Sequence, residues 1–391
     1  MKPLNPLKTP AVPYDFAVGR SNPETFPIEL VQEAANRVIA TEYEEITEYP
    51  GKMGHLGLRQ AMARRESERE GVHVDPELLS LMNGSMQAVT LTAEALTQPG
   101  DVVICEEFTY VGTISAYRSL KINMQGLPVD EDGMRVHLLE DKIKALGEAN
   151  KPKFIYALTT YQNPTGSVMS LDRRKQLIDV ARRHSIPIVD DNCYADVHYD
   201  GEKPKALYAL SDYDQIIYMC SLSKILAPGF RLGYLYAQKD LLDKILARRH
   251  DAGSNYFAAA IIAELYRKNV WDLTEELNES LKVKKNLVVQ GLGEELEDLC
   301  AWSDPAGGMF VWVRFPDDVD QTKLQRLCAE RGFGYASGAN FHIDGKQVPF
   351  LRLAFGHIPD LAIQEGIPVL ANCMRESRTS NEPKGFSTLY D

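Results

Sequence analysis

Residues 221–234 read SLSKILAPGFRLGY, and Lys224 follows directly on an apolar, strand-like run. A lysine held partly out of water has a lowered pKa, because desolvation disfavours its charged form. Its neutral amine is then a nucleophile that can condense with an aldehyde. Ser221 and Ser223 add hydroxyls, and Arg231 adds a planar fork of donors suited to an anion. Together these describe an aldehyde-bearing cofactor with a phosphate, pyridoxal 5′-phosphate. Taken alone, the SxSK pattern reads equally well as a solvated lysine at a strand end.

Other stretches carry what such a cofactor requires. Its ring nitrogen needs a carboxylate that keeps the ring protonated. IPIVDDNCY (186–194) ends a strand-like run in paired aspartates, which offers Asp191 to the nitrogen and Tyr194 to the ring hydroxyl. Ligands sit at the C-terminal ends of parallel strands, although paired aspartates also suit a solvated loop. The turn NPTG (163–166) follows the run KFIYALTT, and Asn163 can donate its amide to the same ring oxygen. Plain turn chemistry accounts for that stretch as well. In LMNGSMQ (81–87) a helix opens at Gly-Ser, where free N–H groups attract an anion, so Ser85 and the Met86 N–H are phosphate candidates. The alternative makes Asn83 or Ser85 a simple N-cap. Tyr110 stands just beyond a strand-like run, where its ring can cover a cofactor face or fill a half-buried core position.

These residues need a scaffold, and the pattern around them is α/β. Strands are predicted at 101–107, 121–129, 153–160, 186–192, 215–221 and 232–238, with helical stretches between them. One such helix, 170–184, has Ser170 as its candidate cap and a basic far end. Strands buried on both faces imply a large domain with a mostly parallel sheet flanked by helices. The last third differs. A charged helix (269–292) leads into GGMFVWVRF (307–315) and PFLRLAF (349–355), a smaller α+β domain. The N-terminal arm, with a helix at about 27–42, is expected to pack with it. The expected division is 46–282 for the large cofactor-binding domain, and 1–45 with 283–391 for the small one. SLKVKKNL (280–287) reads as a solvated helix face, and the polar tail 376–391 as mobile or pinned on a partner subunit.

Bulk properties narrow the field. The chain has 391 residues, 44% apolar and 25% charged, as in an ordinary globular enzyme. A net charge of −12 repels phosphate backbones and anionic lipid, so neither nucleic acid nor a membrane is an expected partner. The six cysteines lack CxxC spacing, and His55, His198 and His357 lack partners at metal-ligand spacing, so no metal is expected. The N-terminal MKPLNPLKTPAVPYDF shows no apolar leader run, which points to the cytoplasm.

With its motifs in this order, the chain resembles the fold-type I pyridoxal-phosphate enzymes of the class I/II aminotransferase group. The likeness is closest to the branch of aminoadipate, kynurenine and broad-specificity amino-acid aminotransferases. It runs from AVGRSNPETFP (17–27) to FLRLAF (350–355). The resemblance implies that Lys224 carries the cofactor and, once displaced, moves the substrate α-proton. It implies that Asp191 keeps the ring cationic and that Ser221, Ser223 and Arg231 form the phosphate cup. Arg352 would clamp the substrate α-carboxylate, which Gly19 would let the backbone approach. Tyr49 would reach the phosphate of the neighbouring subunit, making the enzyme a homodimer with shared active sites. The implied reaction is a ping-pong exchange between an L-amino acid and a 2-oxo acid, by family expectation 2-oxoglutarate.

Three departures from the family pattern stand out. Met86 replaces a common glutamine, Asn192-Cys193 replaces a frequent Asp-Pro, and Arg20-Ser21 replaces an apolar-Pro pair. Arg20 either selects an acidic donor side chain or is simply solvated. Two rival readings keep the same motifs. One is another pyridoxal-phosphate reaction, such as a β- or γ-elimination or an oxidative or cyclising step. The other is a non-catalytic effector-binding module of the kind attached to some transcription regulators, which the acidic charge and short N-terminal arm disfavour.

Overall fold

The computed structural model describes residues 12–202, 204–380, 383 and 385–390. Most of the N-terminal stretch read for a leader lies outside these residues. Seven strands form the main sheet, in the order Leu79–Met82, Gly233–Tyr236, Ile216–Ser221, Ile188–Asp191, Ile155–Ala157, Val102–Glu106 and Asn123–Leu127. Only Gly233–Tyr236 runs against its neighbours. The sheet is therefore mostly parallel with helices between its strands, an α/β fold. Six of the strands fall inside predicted ones. Leu79–Met82 was missed because its four residues LSLM, three of them apolar, also read as a lead-in to the helix Ser85–Leu96.

β-Branched residues hold the centre of this sheet. Ile104, Ile155, Ile188 and Ile216 pair in register across four strands. They pack in one core with Leu177, Ile178 and Ala181 of the helix Leu171–His184. On the other face, Val103, Tyr156, Val189 and Ile217 pack with Val89 and Ala93 of the helix Ser85–Leu96. Each such isoleucine contributes about 1.5–3 kcal/mol by its burial. Ser170 occupies the N-cap position of Leu171–His184, but its side chain makes no capping bond. The helix start is held instead by the buried Arg174, which bonds to the Met169, Thr159 and Lys205 carbonyls.

A second, antiparallel sheet contains Ala301–Trp302, Phe310–Arg314, Phe350–Ala354 and Ala336–Ser337, in that order. The helix predicted at 269–292 spans Asp272–Leu296 and packs on Asp360–Glu376. Its lysine run is only partly a solvated face, with Lys282 exposed. Lys284 and Lys285 are buried, with their ammonium groups on the Ile358 carbonyl and Asp304. Their long apolar stems make this possible. The N-terminal arm divides its contacts. Tyr14–Asp15 pairs with Phe333–Gly334, whereas Ile28–Thr41 packs on the helix Tyr256–Leu265. The tail also differs from expectation, because Phe386 and Leu389 are buried against their own chain.

Candidate active site

The main sheet explains why distant motifs meet. Its parallel strands end along one edge, and each chemistry-bearing residue lies a few positions beyond an end. Ser85 follows Met82, Tyr110 follows Glu106, Asn163 follows Ala157, Tyr194 follows Asp191 and Lys224 follows Ser221. Gly233 pairs with both Met82 and Ser221, which brings Arg231 to the same edge. A cavity of about 140 Å³ opens there, lined by Ser85, Met86, Tyr110, Asp191, Tyr194, Ser221, Ser223, Lys224 and Arg231.

Lys224 is half-buried, and its Nζ donates to the Gly19 carbonyl oxygen at 2.8 Å. Burial lowers its pKa to about 8, and the nearby cations Arg352 and Arg231 push the same way. Asp191 is buried. Its Oδ2 accepts from the Tyr156 hydroxyl at 2.6 Å, and that hydroxyl lies 3.0 Å from Thr113 Oγ1. Its Oδ1 is buried without a hydrogen bond of normal geometry. Burial raises the Asp191 pKa, while bonds from Cys193 and Tyr156 oppose the rise. Tyr156 was missed in the sequence. The available signal was a hydroxyl in an apolar strand that register places beside Val189, on the same face as Asp191.

A second constellation adjoins the cavity. Arg352 Nη1 donates to Asn163 Oδ1 at 2.8 Å, and Nη2 donates to the Ala17 carbonyl at 2.7 Å. Asn163 Nδ2 in turn donates to the Tyr194 hydroxyl at 3.3 Å. The guanidinium carbon lies 4.2 Å from the centre of the Phe310 ring and 4.7 Å from that of Phe341. Burial lowers the Arg352 pKa to about 10, which leaves it cationic at neutral pH. The Phe310 ring also presses on Gly19, where a Cβ would stand 2.7 Å from a ring carbon.

The helix Ser85–Leu96 begins without a side-chain cap, because Gly84 holds the N-cap position at a φ of 75°. This replaces the reading in which Asn83 or Ser85 caps the helix. The first N–H groups of such a helix are left for an anion. A Cβ on Gly84 would stand 2.7 Å from Arg231 Nη2, and one on Gly233 would stand 2.9 Å from the Ser85 nitrogen. The cradle thus requires glycine at both positions. Met86, the second residue of this helix, also lines the cavity.

These features suit pyridoxal 5′-phosphate: a half-buried amine, a buried carboxylate oxygen open to a donor, and an uncapped helix start beside an arginine. Two sequence candidates stand apart from the cavity. Tyr49 is 85% exposed. Arg20 is also exposed, and its charge is felt by His357, whose pKa is lowered mainly by burial. Among the described residues, no His, Cys, Asp or Glu cluster is placed to hold a metal ion, and no helix is long and apolar enough to cross a membrane.

Comparison with known proteins gives a consistent result. Residues 15–367 match the family described as aminotransferase class I and II. An aromatic-amino-acid aminotransferase of Thermococcus litoralis is 32% identical, over 92% of this chain and 88% of the relative. The crystal structure of a multiple substrate aminotransferase from Thermococcus profundus superposes with a TM-score of 0.88 at 31% identity, covering 95% of this chain and 93% of that one. An alpha-aminoadipate aminotransferase from Thermus thermophilus, complexed with N-(5′-phosphopyridoxyl)-L-leucine, gives a TM-score of 0.86 at 27% identity, covering 93% and 92%.

Proposed function

The chain belongs to the class I and II aminotransferases, and we propose that it moves the amino group of an L-amino acid onto 2-oxoglutarate at the site around Lys224. Its cofactor, pyridoxal 5′-phosphate, supplies when bound an aldehyde for the amino group and a ring that takes up the electron pair left as the α-proton departs. The chain's own residues do the rest. Lys224 Nζ, made less basic by burial, takes the proton from the substrate Cα. Asp191 offers Oδ1 to the ring nitrogen while Tyr156 holds Oδ2. Ser85, the Met86 N–H, Ser221, Ser223 and Arg231 take the phosphate, and Tyr110 covers the ring. Asn163 and Tyr194 serve the ring hydroxyl. Arg352 takes the α-carboxylate, with its plane fixed by Phe310 and Phe341. Donor and acceptor use this one site in turn, which makes the kinetics ping-pong.

The observation that carries this reading is the pairing of a lysine of lowered pKa with a buried carboxylate whose Oδ1 has no hydrogen bond of normal geometry, in one cavity. Residues 46–282 serve in this reading as the cofactor-binding body, with the arm helix Ile28–Thr41 packed on it, and the described residues from 283 onward as the part that brings Arg352. A homodimer in the cytoplasm completes the proposal. The exposed Ile28, Ile39, Tyr43, Tyr49 and Leu56 give a second copy apolar surface to cover. Tyr49 then reaches the partner's phosphate. The named activities of the relatives support aromatic amino acids and 2-aminoadipate as donors. Selection of the acidic donors by Arg20, which is exposed and apart from the cavity, rests on its departure from the family pattern alone. Equal loss of acidic and neutral donors in Arg20→Ala would contradict that last role.

One half-reaction tests the function. Cofactor-loaded enzyme mixed with single amino acids and no acceptor should release one equivalent of 2-oxo acid per site and then stop. Catalytic release of ammonia or pyruvate would favour the elimination reading. Binding without any product would favour the effector-binding module.

A further inference from the structure

The family match ends at residue 367, yet the described chain continues to Tyr390. The last segment is not idle. Phe386 lies with its ring 4.3 Å from the Arg314 guanidinium carbon. Leu389, only 7% exposed, enters a cluster with Phe108, Val129, Trp312 and Phe341, and Tyr390 packs against it. Phe108 and Val129 stand just past the ends of two main-sheet strands, whereas Trp312 belongs to the second sheet and pairs with Arg352. Leu389 therefore fills the seam between the two sheets.

The seam backs the carboxylate clamp. Trp312 meets Phe341 with ring centres 5.9 Å apart, and Phe341 faces the Arg352 guanidinium. On the other side, Thr388, Leu389 and Tyr390 share the wall of a cavity of about 770 Å³ with Thr165 and Gly166, of the same turn as Asn163. Asn163, the partner of Arg352 Nη1, and Phe341, whose ring lies over the guanidinium carbon, are thus both flanked by the same few tail residues.

We propose that Leu389, with Phe386 anchoring its segment, is a positioning residue for substrate carboxylate binding: it seals the aromatic cluster that holds the Arg352 plane. This rests on the reading of Arg352 as the carboxylate clamp. A leucine in a packed seam excludes water and limits the rotamers of its neighbours. Its loss leaves Phe341 room to move and loosens the guanidinium, while Lys224 and the phosphate cradle are untouched. Binding of the shared α-carboxylate suffers, and proton transfer does not.

The test uses full-length, cofactor-loaded enzyme and the 2-oxo acids it turns over among 2-oxoglutarate, pyruvate and glyoxylate. Leu389→Ala and Phe386→Ala are compared with Leu389→Met and with Arg352→Gln as the reference. We expect Leu389→Ala to raise KM about fivefold or more, by a similar factor for every acid, with kcat within about twofold. Phe386→Ala should move KM in the same direction, and Leu389→Met should restore the native value within about twofold. A lowered Tm with unchanged KM in Leu389→Ala would reduce the segment to a structural strap and overturn the proposal. A raised KM in Arg352→Gln beside an unchanged one in both tail variants overturns the proposal alone. An unchanged KM in Arg352→Gln removes the carboxylate reading and the proposal with it.

Discussion

At Lys224 the decisive quantity is proton affinity. Burial takes its pKa to about 8, against roughly 10.4 for a lysine in water. Loading of apoenzyme by pyridoxal 5′-phosphate should therefore accelerate up to about pH 8 and then level off. Continued acceleration toward pH 10 would contradict the shift. The same shift has a stability consequence. Between about pH 8 and 10.4 the unfolded chain binds more protons than the folded one, so apoenzyme stability from this group rises with pH across that window. At Asp191 the relevant partner is Tyr156. Tyr156→Phe removes one bond to a carboxylate, roughly 1.5–3 kcal/mol, and should weaken cofactor binding about tenfold or more in a fluorescence titration. An unchanged dissociation constant would show that Asp191 needs no second donor. Lys224, Asp191 and Arg231 were legible in the sequence because each belongs to a local motif at a strand end. Tyr156 and Phe341 were not, because their roles arise from contacts 35 positions apart for Tyr156–Asp191 and from ring stacking on Arg352, which no periodicity encodes.

At the scale of elements, the cradle at the start of Ser85–Leu96 depends on what is missing from it. Gly84 supplies a left-handed turn and no side chain, which leaves the first N–H groups of the helix free. Gly84→Ala strains that turn and drives a methyl into Arg231. Cofactor affinity should fall about tenfold or more while the far-UV spectrum stays native. Native affinity in that variant would mean the phosphate lies elsewhere. Element reading from the sequence worked where apolar runs were long and bounded by turns, as at Ile216–Ser221. It failed at Leu79–Met82, which is too short to show a period. It also failed at Lys284 and Lys285, where charge on a helix suggested solvent but the stems are buried. The tail was misjudged for a related reason. Its composition is polar, and its few apolar residues, Phe386 and Leu389, do the packing.

For the whole molecule, the two sheets divide the labour. The main sheet sets the cofactor groups along one edge, and the second sheet brings Arg352 to them. In the proposed homodimer, the exposed Tyr49 would extend this to a second copy. Mixing Lys224→Ala chains with Tyr49→Ala chains should restore up to about a quarter of native activity, because half the dimers are hybrids with one complete site. No recovery on mixing would argue for self-contained subunits. The central claim is that the amine of residue 224 holds the cofactor. Borohydride reduction of loaded enzyme, followed by peptide mapping, tests it most directly. The account predicts one cofactor mass per chain, found on the peptide containing Lys224. A cofactor mass on another lysine, or none on any peptide, would contradict it.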